Sequence, residues 1–335
     1  MPDFATTRIL VTGATGFVGR PMCSLLQRSG FTVRAAVRRE GVTAAVAARE
    51  VVAIGDLGPA TAWESAVDGM DAVIHLAGRA HIMRDTAVDP LQAFRSVNVE
   101  PTIRLAQAAA RHGVRRLVFV SSIKVNGEET TSRPFTESDA CSPEDPYGTS
   151  KFEAEQALGD VSRATGLEVV IVRPPLVYGP QVRGNFLRLL KWAHRGLPLP
   201  LGGASKRRSL IAVDNLTSAL LACAVDPRAA NETFLVSDND DISTAELLRR
   251  AAAAMDRPAR LFSFPQSALR VLAGLSGQRA VLRRLFGSLL IDSSKIRDLL
   301  GWTPPVSIND ELKLTANWYL GEVQAVHPAP RRVFQ

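Results

Sequence analysis

The chain contains little of what marks secreted, membrane-spanning or metal-binding proteins. Its three cysteines, Cys23, Cys141 and Cys223, lie far apart without a C-x-x-C pair, which argues against a disulfide framework or a metal site. No apolar run approaches the roughly 18–20 residues that a membrane-spanning helix needs. A strand-like segment begins already at Arg8, which leaves no room for a signal peptide. These absences predict a cytoplasmic protein with reduced thiols, no membrane span and no bound metal.

Lysine is scarce for so basic a chain. Only six of the 40 Lys and Arg residues are lysine. The 40 basic residues exceed the 33 Asp and Glu residues, for a formal net charge of +7. The arginines are scattered, and no RNA-binding motif, zinc finger or basic tract with interleaved aromatic residues occurs. We therefore expect no nucleic-acid partner. A positive field of this size suits an anionic small substrate instead.

Short β-branched runs alternate with helical stretches over the first two thirds of the chain. Most runs are near-continuous Val, Ile and Leu, as expected for strands buried on both faces. The strand candidates are Arg8–Thr12, Thr32–Val37, Val51–Ile54, Ala72–Leu76, Leu117–Ser121, Val169–Val172 and Phe234–Val236, and the main helix candidates are Pro90–His112, Pro146–Thr165 and Val213–Val225. The pattern predicts an α/β fold built on a doubly wound parallel sheet.

The pattern changes after Arg173, where prolines and glycines interrupt it. The helix candidates beyond this point are Thr244–Met255, Ser267–Phe286, Ser293–Leu300 and Asn309–Gly321. The predicted domains are a cofactor-binding domain (1–173, with 209–236 returning to it), a smaller, mostly helical substrate lobe (174–208 and 237–325) and a frayed tail (326–335). We interpret the arginine-rich helix Ser267–Phe286 as packed on its own protein, with a membrane-surface helix as the alternative.

Three glycines follow the first predicted strand, in the run Ile9-Leu-Val-Thr-Gly-Ala-Thr-Gly-Phe-Val-Gly19. Glycine at such positions permits a tight turn, close approach to a pyrophosphate and tight helix–sheet packing, while the helix N-terminus presents free N–H groups to the phosphates. The position between a strand and a helix predicts dinucleotide binding. The expected cofactor contacts in this turn are Gly13, Thr15, Gly16, Phe17, Val18 and Gly19.

The end of the second strand normally distinguishes the two nicotinamide cofactors. An acidic side chain holds the ribose 2′-hydroxyl of NAD, whereas an arginine meets the 2′-phosphate of NADP. Arg38 and Arg39 stand here and favour NADP; a solvated surface pair, with Glu40 on an NAD ribose, is the alternative. Asp56 is placed to bind the adenine, although Asp is also a common turn former. Further expected cofactor contacts are Leu57, Leu76, Ala77, Gly78, Asn98, Ser121, Tyr147, Lys151 and Pro174.

Tyr147 and Lys151 are four residues apart on a predicted helix and so share a face. Ser121 and Ser122 end the preceding strand, at the sheet edge where α/β proteins bind ligands. A base at pH 7 needs the tyrosine pKa lowered by about three units, roughly 4 kcal/mol, and an ammonium about 4 Å away supplies on the order of 4 kcal/mol. We therefore predict that Tyr147 exchanges a proton, Ser122 binds the reacting oxygen, and Lys151 lowers the Tyr147 pKa and anchors the nicotinamide ribose.

These motifs resemble those of the extended short-chain dehydrogenase/reductases of the nucleotide-sugar epimerase/dehydratase group. The matching stretches run from Thr12-Gly-Ala-Thr-Gly-Phe-Val-Gly19 through Pro146-Tyr-Gly-Thr-Ser-Lys151 to Leu300-Gly-Trp-Thr-Pro304. The resemblance implies a Rossmann fold, an NAD(P) cofactor, a UDP-sugar substrate and a homodimer. It also implies that Ser122 is the catalytic serine and that Asn98 supports the active-site helix.

The resemblance further places Asn185 at the sugar nucleotide and Arg208 at its diphosphate, where a guanidinium binds two oxygens at once. An exposed basic cluster is the alternative for Arg208. Lys124 and the run Arg173-Pro174-Pro175 depart from the UDP-glucose 4-epimerase pattern, and both stretches should border the sugar. The chain looks closer to reductases of UDP-linked 4-keto-6-deoxy-amino sugars from bacterial polysaccharide (O-antigen type) precursor synthesis.

The sequence thus predicts an NADP-dependent oxidoreductase that reduces a 4-keto sugar, with Lys124 as a substrate contact. A UDP-glucose or UDP-N-acetylglucosamine 4-epimerase with bound NAD is the first alternative. A 4,6-dehydratase fits less well, because those enzymes normally have a Thr-Asp-Glu run where this chain has Ser121-Ser-Ile-Lys124. A non-catalytic NADP-binding sensor is the last alternative, although such modules often lack the Tyr/Lys pair.

Overall fold

The computed structural model describes residues 7–39, 41, 46–80, 87–265, 267, 269 and 279–326. The strands are β1 (Arg8–Thr12), β2 (Thr32–Val37), β3 (Glu50–Ala53), β4 (Ala72–His75), β5 (Arg116–Val120), β6 (Glu168–Arg173), β7 (Leu176–Tyr178), β8 (Arg207–Arg208), β9 (Leu210–Ala212), β10 (Thr233–Leu235) and β11 (Ile242–Ser243). The helices are α1 (Gly19–Arg28), α2 (Glu64–Val67), α3 (Pro90–Asn98), α4 (Glu100–Arg111), α5 (Pro146–Thr165), α6 (Gly184–Arg195), α7 (Val213–Val225), α8 (Thr244–Ala253), α9 (Arg279–Phe286), α10 (Ser294–Leu300) and α11 (Ile308–Val326). Glu40, half of the predicted helix Ser267–Phe286 and residues 327–335 of the predicted tail lie outside the described residues.

Within the described residues, seven strands form one parallel sheet in the order β10-β6-β5-β4-β1-β2-β3. Each of the seven lies within one residue of its predicted bounds, so the predicted doubly wound sheet is confirmed. The order of the strands changes direction at β1 and β4, which are direct neighbours: β1 to β3 run one way across the sheet and β4 to β10 the other. Such a reversal opens a crevice at the carboxyl ends of the strands, where ligands of this fold bind.

The strands are buried because helices cover both faces of the sheet. Ile9 and Val11 of β1 pack in one hydrophobic cluster with Met22 of α1. Leu10, between them, packs in a second cluster with Leu105 of α4. Successive side chains of a strand point to opposite faces, so a continuous apolar run supplies both cores.

A third cluster joins α6, α8 and α11 in the carboxyl-terminal half, through side chains such as Phe186, Leu248 and Leu312. Helix α6 was not among the predicted helices, because the prolines and glycines on either side of it hid its apolar spacing. The predicted division into a cofactor domain and a substrate lobe stays a prediction. No helix within the described ranges is long and apolar enough to span a bilayer.

The predicted helix Pro90–His112 is wrong in one respect, since two helices, α3 and α4, occupy it. The break falls at Val99, and Pro101 stands in the first turn of α4. Proline lacks an N–H group and its ring clashes with a continuing helix, so it is tolerated at a helix start but not in a helix interior. The break leaves Asn98 as the last residue of α3.

Candidate active site

Two glycines of the turn after β1 stand where no side chain fits. Gly13 has φ +64°, and a Cβ atom there would lie 2.9 Å from the amide nitrogen of Ala77. A Cβ atom on Gly19 would lie only 2.1 Å from the carbonyl oxygen of Gly13. The Leu76 and Ala77 amides both donate to Thr12 Oγ1 at 3.2 Å, which ties the end of β4 to the turn. These residues therefore form the narrow cradle that a pyrophosphate requires.

His75, at the end of β4, was not singled out from the sequence. Its Nδ1 lies 2.7 Å from Thr12 Oγ1 and its Nε2 lies 2.9 Å from Thr102 Oγ1. Burial, followed by the charge of Lys151, lowers the pKa of His75 to about 3, so the ring is neutral. A neutral imidazole has one donor and one acceptor nitrogen. His75 therefore links β1 to α4 through the hydroxyls of Thr12 and Thr102.

Asn98 joins the segment after β4 to helix α5. Its Oδ1 accepts the Arg79 amide at 2.7 Å, and its Nδ2 donates to the Arg79 carbonyl at 3.1 Å and to Ser150 Oγ at 3.0 Å. Ser150 in turn donates to the carbonyl oxygen of Tyr147 at 2.8 Å. The contact to α5 has the geometry that a helix-supporting residue needs. A direct contact of Asn98 with the cofactor stays a prediction.

Helix α5 begins where the sequence supplies a strong start signal. The Asp145 carboxylate accepts the Gly148 amide at 2.7 Å, and Pro146 occupies the first helical position. This start places Tyr147 in the first turn and Lys151 one turn later. The Tyr147 ring packs edge-on against Phe94 of α3, with 5.9 Å between the ring centroids.

Ser122 follows the carboxyl end of β5, and Lys151 of α5 reaches the same strand end. The Ser122 side chain lies near enough to the Tyr147 hydroxyl to affect its pKa, and the Lys151 ammonium donates to the Val120 carbonyl at 2.9 Å. Burial and the charge of Asp145 raise the pKa of Tyr147 to about 12, against the lowering effect of Ser122. The predicted lowering of the Tyr147 pKa is therefore wrong for the chain by itself, because burial of the phenol dominates. Burial also lowers the pKa of Lys151 to about 8, opposed by Glu155.

Two further features suit a nicotinamide cofactor at this edge. Ser121 is buried, and its hydroxyl has no hydrogen-bond partner among the described residues. A Cβ atom on Gly78 would lie 3.0 Å from Asn98 Oδ1 and 3.7 Å from Lys151 Nζ, so glycine keeps this wall close to the ammonium. The glycine cradle, the unpartnered hydroxyl and this narrow wall together fit a dinucleotide. The individual cofactor contacts stay predictions.

The profile of the NAD dependent epimerase/dehydratase family matches residues 9–237 of the chain. The protein belongs to this family. A UDP-glucose 4-epimerase from Vibrio cholerae is 40% identical over 320 residues, which are 93% of this chain and 95% of the relative. The chain is thus an enzyme of the extended short-chain dehydrogenase/reductase type that uses a nicotinamide cofactor.

Solved structures share the fold of this epimerase/dehydratase family member. A short-chain dehydrogenase/reductase superfamily protein from Agrobacterium tumefaciens with bound NAD has a TM-score of 0.75 and 24% identity, covering 96% of this chain and 100% of its own. A UDP-glucuronic acid 4-epimerase from Bacillus cereus, in complex with UDP-glucuronic acid and NAD, has a TM-score of 0.76 and 21% identity, covering 94% and 100%. These likenesses confirm the fold.

The residues that were predicted to select the cofactor lie at the end of β2 and after β3. The Arg38 side chain is 78% exposed, and its Nε lies 3.3 Å from Asp56 Oδ1. The two predicted contacts, to a 2′-phosphate and to the adenine, therefore come from side chains that pair with each other on the surface. The contacts of this epimerase/dehydratase family member with the adenosine half of the cofactor stay predictions.

The three predicted substrate contacts lie in different surroundings. The Lys124 ammonium binds Glu128 Oε1 at 2.7 Å and also the Asp145 carboxylate. Arg208 is half-buried and donates to the Gly287 carbonyl at 3.2 Å. Asn185 is exposed in the first turn of α6. Their contacts with a sugar nucleotide stay predictions.

Arg173, which the sequence placed at the sugar, is engaged in the protein interior. Its Nε donates to Glu155 Oε1 at 3.0 Å and its Nη1 to Asn126 Oδ1 at 3.0 Å. The next carbonyl along the chain, that of Pro174, accepts the Ile123 amide at 3.0 Å. The end of β6 therefore braces α5 and the turn that follows Ser122.

Proposed function

We propose that the protein reduces the 4-keto group of a UDP-linked hexose with NADPH, in the synthesis of a bacterial polysaccharide precursor. The observation that carries this proposal is the exposed guanidinium of Arg38 at the end of β2. An arginine at this point of a dinucleotide-binding fold suits the 2′-phosphate of NADP. NADPH is the cofactor of a reaction that consumes a reductant at every turnover.

The protonation state of Tyr147 supports the direction of this reaction. A phenol whose pKa is about 12 keeps its proton at neutral pH. A bound NADPH would supply hydride to carbon 4, and the oxygen at that carbon would then need a proton. Tyr147 donates this proton, and the neighbouring Ser122 hydroxyl orients the oxygen. Lys151, fixed on the Val120 carbonyl, holds positive charge beside them.

A UDP-hexose 4-epimerase is the second candidate, favoured by the 40% identity to the Vibrio cholerae UDP-glucose 4-epimerase. An epimerase first oxidises the sugar and then returns the hydride to the other face, so Tyr147 would have to act first as a base. The pKa of about 12 opposes that first step in the chain by itself. The positive charge of a bound oxidised nicotinamide acts in the opposite direction.

The stoichiometry of the cofactor separates the two candidates. The purified protein is mixed with a UDP-4-keto-6-deoxy-N-acetylhexosamine and NADPH, and, in a second reaction, with UDP-glucose and no added cofactor. The proposal predicts one NADPH oxidised for each sugar reduced, and no UDP-galactose from the second reaction. Formation of UDP-galactose without added cofactor would show an epimerase. Consumption of NADPH that survives Tyr147→Phe would remove the acid–base assignment.

A further inference from the structure

One carboxylate connects the two segments that carry Ser122 and Tyr147. The Asp145 Oδ1 atom accepts the Gly148 amide at 2.7 Å and so starts helix α5. The Asp145 Oδ2 atom binds the Lys124 ammonium. Lys124 belongs to the 3₁₀ turn Ile123–Val125, and its amide donates to Ser122 Oγ at 3.2 Å.

The backbones of these two segments are also in contact. A Cβ atom on Gly148 would lie 2.9 Å from the Lys124 carbonyl oxygen, so the turn and the helix leave no room between them. The Lys124 side chain is only 27% exposed, and its second partner, Glu128, is nearly buried. Both the main chain and the side chain of Lys124 therefore hold the turn against the helix.

We propose that Lys124 is a positioning residue that acts on Tyr147 through Asp145: its ammonium binds the Asp145 carboxylate and fixes the turn carrying Ser122 against the first turn of helix α5. This inference rests on the proposed function and adds a residue to it. It differs from the sequence-based prediction, in which Lys124 touches the sugar. Because the Lys124 ammonium already binds the carboxylates of Glu128 and Asp145, we expect it to affect catalysis through these carboxylates and not through the sugar.

The charges around Tyr147 give this pairing a chemical consequence. Asp145 and Lys151 come from its own helix, and Lys124 comes from the turn; α3 contributes the apolar ring of Phe94. Arg79 lies over that ring, 5.2 Å from its centroid, and Arg283 of α9 binds Glu128 and Glu144. Within this set, the Asp145 carboxylate raises the pKa of Tyr147. The Lys124 ammonium is in contact with the Asp145 carboxylate and offsets its negative charge. Removal of Lys124 therefore leaves more negative charge beside the phenol.

Two substitutions should move the ionisation of Tyr147 in opposite directions. Lys124→Met removes the compensating charge and should raise the pH of Tyr147 ionisation by about one unit. Asp145→Asn keeps an oxygen for the Gly148 cap but removes the negative charge, and should lower that pH by about one unit. Lys313→Met, an exposed lysine on α11, is the matched control and should change nothing.

Two readouts test this role on the full-length protein. The first is steady-state turnover at neutral pH, where Lys124→Met should lower kcat by about tenfold with little change in KM, because alignment rather than binding is lost. The second is the ultraviolet titration of tyrosinate, which needs no turnover. The chain has three tyrosines, so subtraction of the same protein carrying Tyr147→Phe isolates the signal of Tyr147.

Opposite shifts for the two variants, with the kcat loss, support the inference. A rise in KM for the nucleotide sugar without any shift in Tyr147 ionisation would overturn it and make Lys124 a sugar contact. Loss of activity at every pH, with Tyr147 titrating as in the wild type, would also overturn it. If the wild type fails to reduce the sugar, the proposed function fails, and the tyrosinate titration still decides the role of Lys124.

Discussion

Lys151 places its ammonium 2.9 Å from the carbonyl oxygen of Val120, the last residue of strand β5. The same ammonium lies 4.4 Å from the centroid of the Phe119 ring, and the residue is only 6% exposed. A cation held by a carbonyl dipole and an aromatic face is fixed in position rather than free in solvent. The active-site helix is thereby attached to the carboxyl end of the central sheet.

The burial of Lys151 predicts a descending limb in the pH profile. Because its pKa is lowered to about 8, the ammonium is present below that pH and is lost above it. Turnover of the wild type should therefore fall above about pH 8. Lys151→Met should lower turnover by about 10²-fold and lack this limb, as measured by initial rates between pH 6 and 10, a range chosen to bracket that pKa. If Lys151→Met kept the same fall in turnover above about pH 8, that fall would belong to another ionising group.

Removal of the Tyr147 hydroxyl should stop proton transfer while leaving the protein folded. Phe can keep the edge-on packing against Phe94, so Tyr147→Phe should lower kcat by at least about 10²-fold. Affinity for the cofactor, measured by calorimetry, should stay within about threefold of the wild-type value, a margin near 0.6 kcal/mol. Retained turnover would contradict the catalytic assignment of Tyr147.

The third glycine of the turn should tolerate no side chain. Gly19→Ala would place a Cβ atom 2.1 Å from the Gly13 carbonyl oxygen, and we expect a loss of about 2–3 kcal/mol of unfolding free energy. The control is Gly321→Ala in helix α11, where the added Cβ meets nothing within 4 Å. This change should raise the free energy of unfolding by up to about 1 kcal/mol. Urea denaturation of the two variants measures both effects.

Glu311 of α11 should make the stability of the protein depend on pH. It is fully buried, and neither of its carboxylate oxygens has a hydrogen-bond partner among the described residues. Burial, with the charges of Asp214 and Asp238, raises its pKa from 4.5 to about 8. The folded protein therefore keeps a proton that the unfolded chain has already released.

The sign of the Glu311 effect follows from this proton. The contribution of Glu311 to the free energy of unfolding is full below about pH 4.5, falls as the pH rises toward 8 and is constant above, a loss of about 5 kcal/mol. Glu311→Gln should remove this slope, whereas Glu322→Gln, at an exposed position of the same helix, should leave it in place. Urea unfolding at pH 5 and pH 8, the two ends of this range, measures the slope. Equal slopes in all three proteins would contradict the assignment to Glu311.

The features that the sequence predicted correctly are local ones. Buried strands are continuous apolar runs, so all seven strands of the main sheet were found, and the helix signals of Asp145 and Pro146 placed the start of α5 at the correct residue. The close packing at Gly19 also follows from a spacing visible in the chain.

The features that the sequence missed depend on contacts between distant residues. Asp145 lies 21 positions from Lys124, so no spacing rule connects the two charges. His75 and Thr102 are 27 positions apart, and each residue alone is unremarkable. The direction of the Tyr147 pKa depends on burial by the folded chain, which a count of neighbouring charges omits.

The transfer of hydride to carbon 4 of the sugar is tested most directly with an isotope. NADPH carrying deuterium on the transferring position of its nicotinamide ring is supplied with a UDP-4-keto-6-deoxy-N-acetylhexosamine, and the product is analysed by mass spectrometry and NMR. The account predicts one deuterium per product, bound to carbon 4, and product formation at least about 10²-fold slower with Tyr147→Phe. A product without deuterium, or a wild-type protein that leaves the keto sugar unchanged while it interconverts UDP-glucose and UDP-galactose, would contradict it.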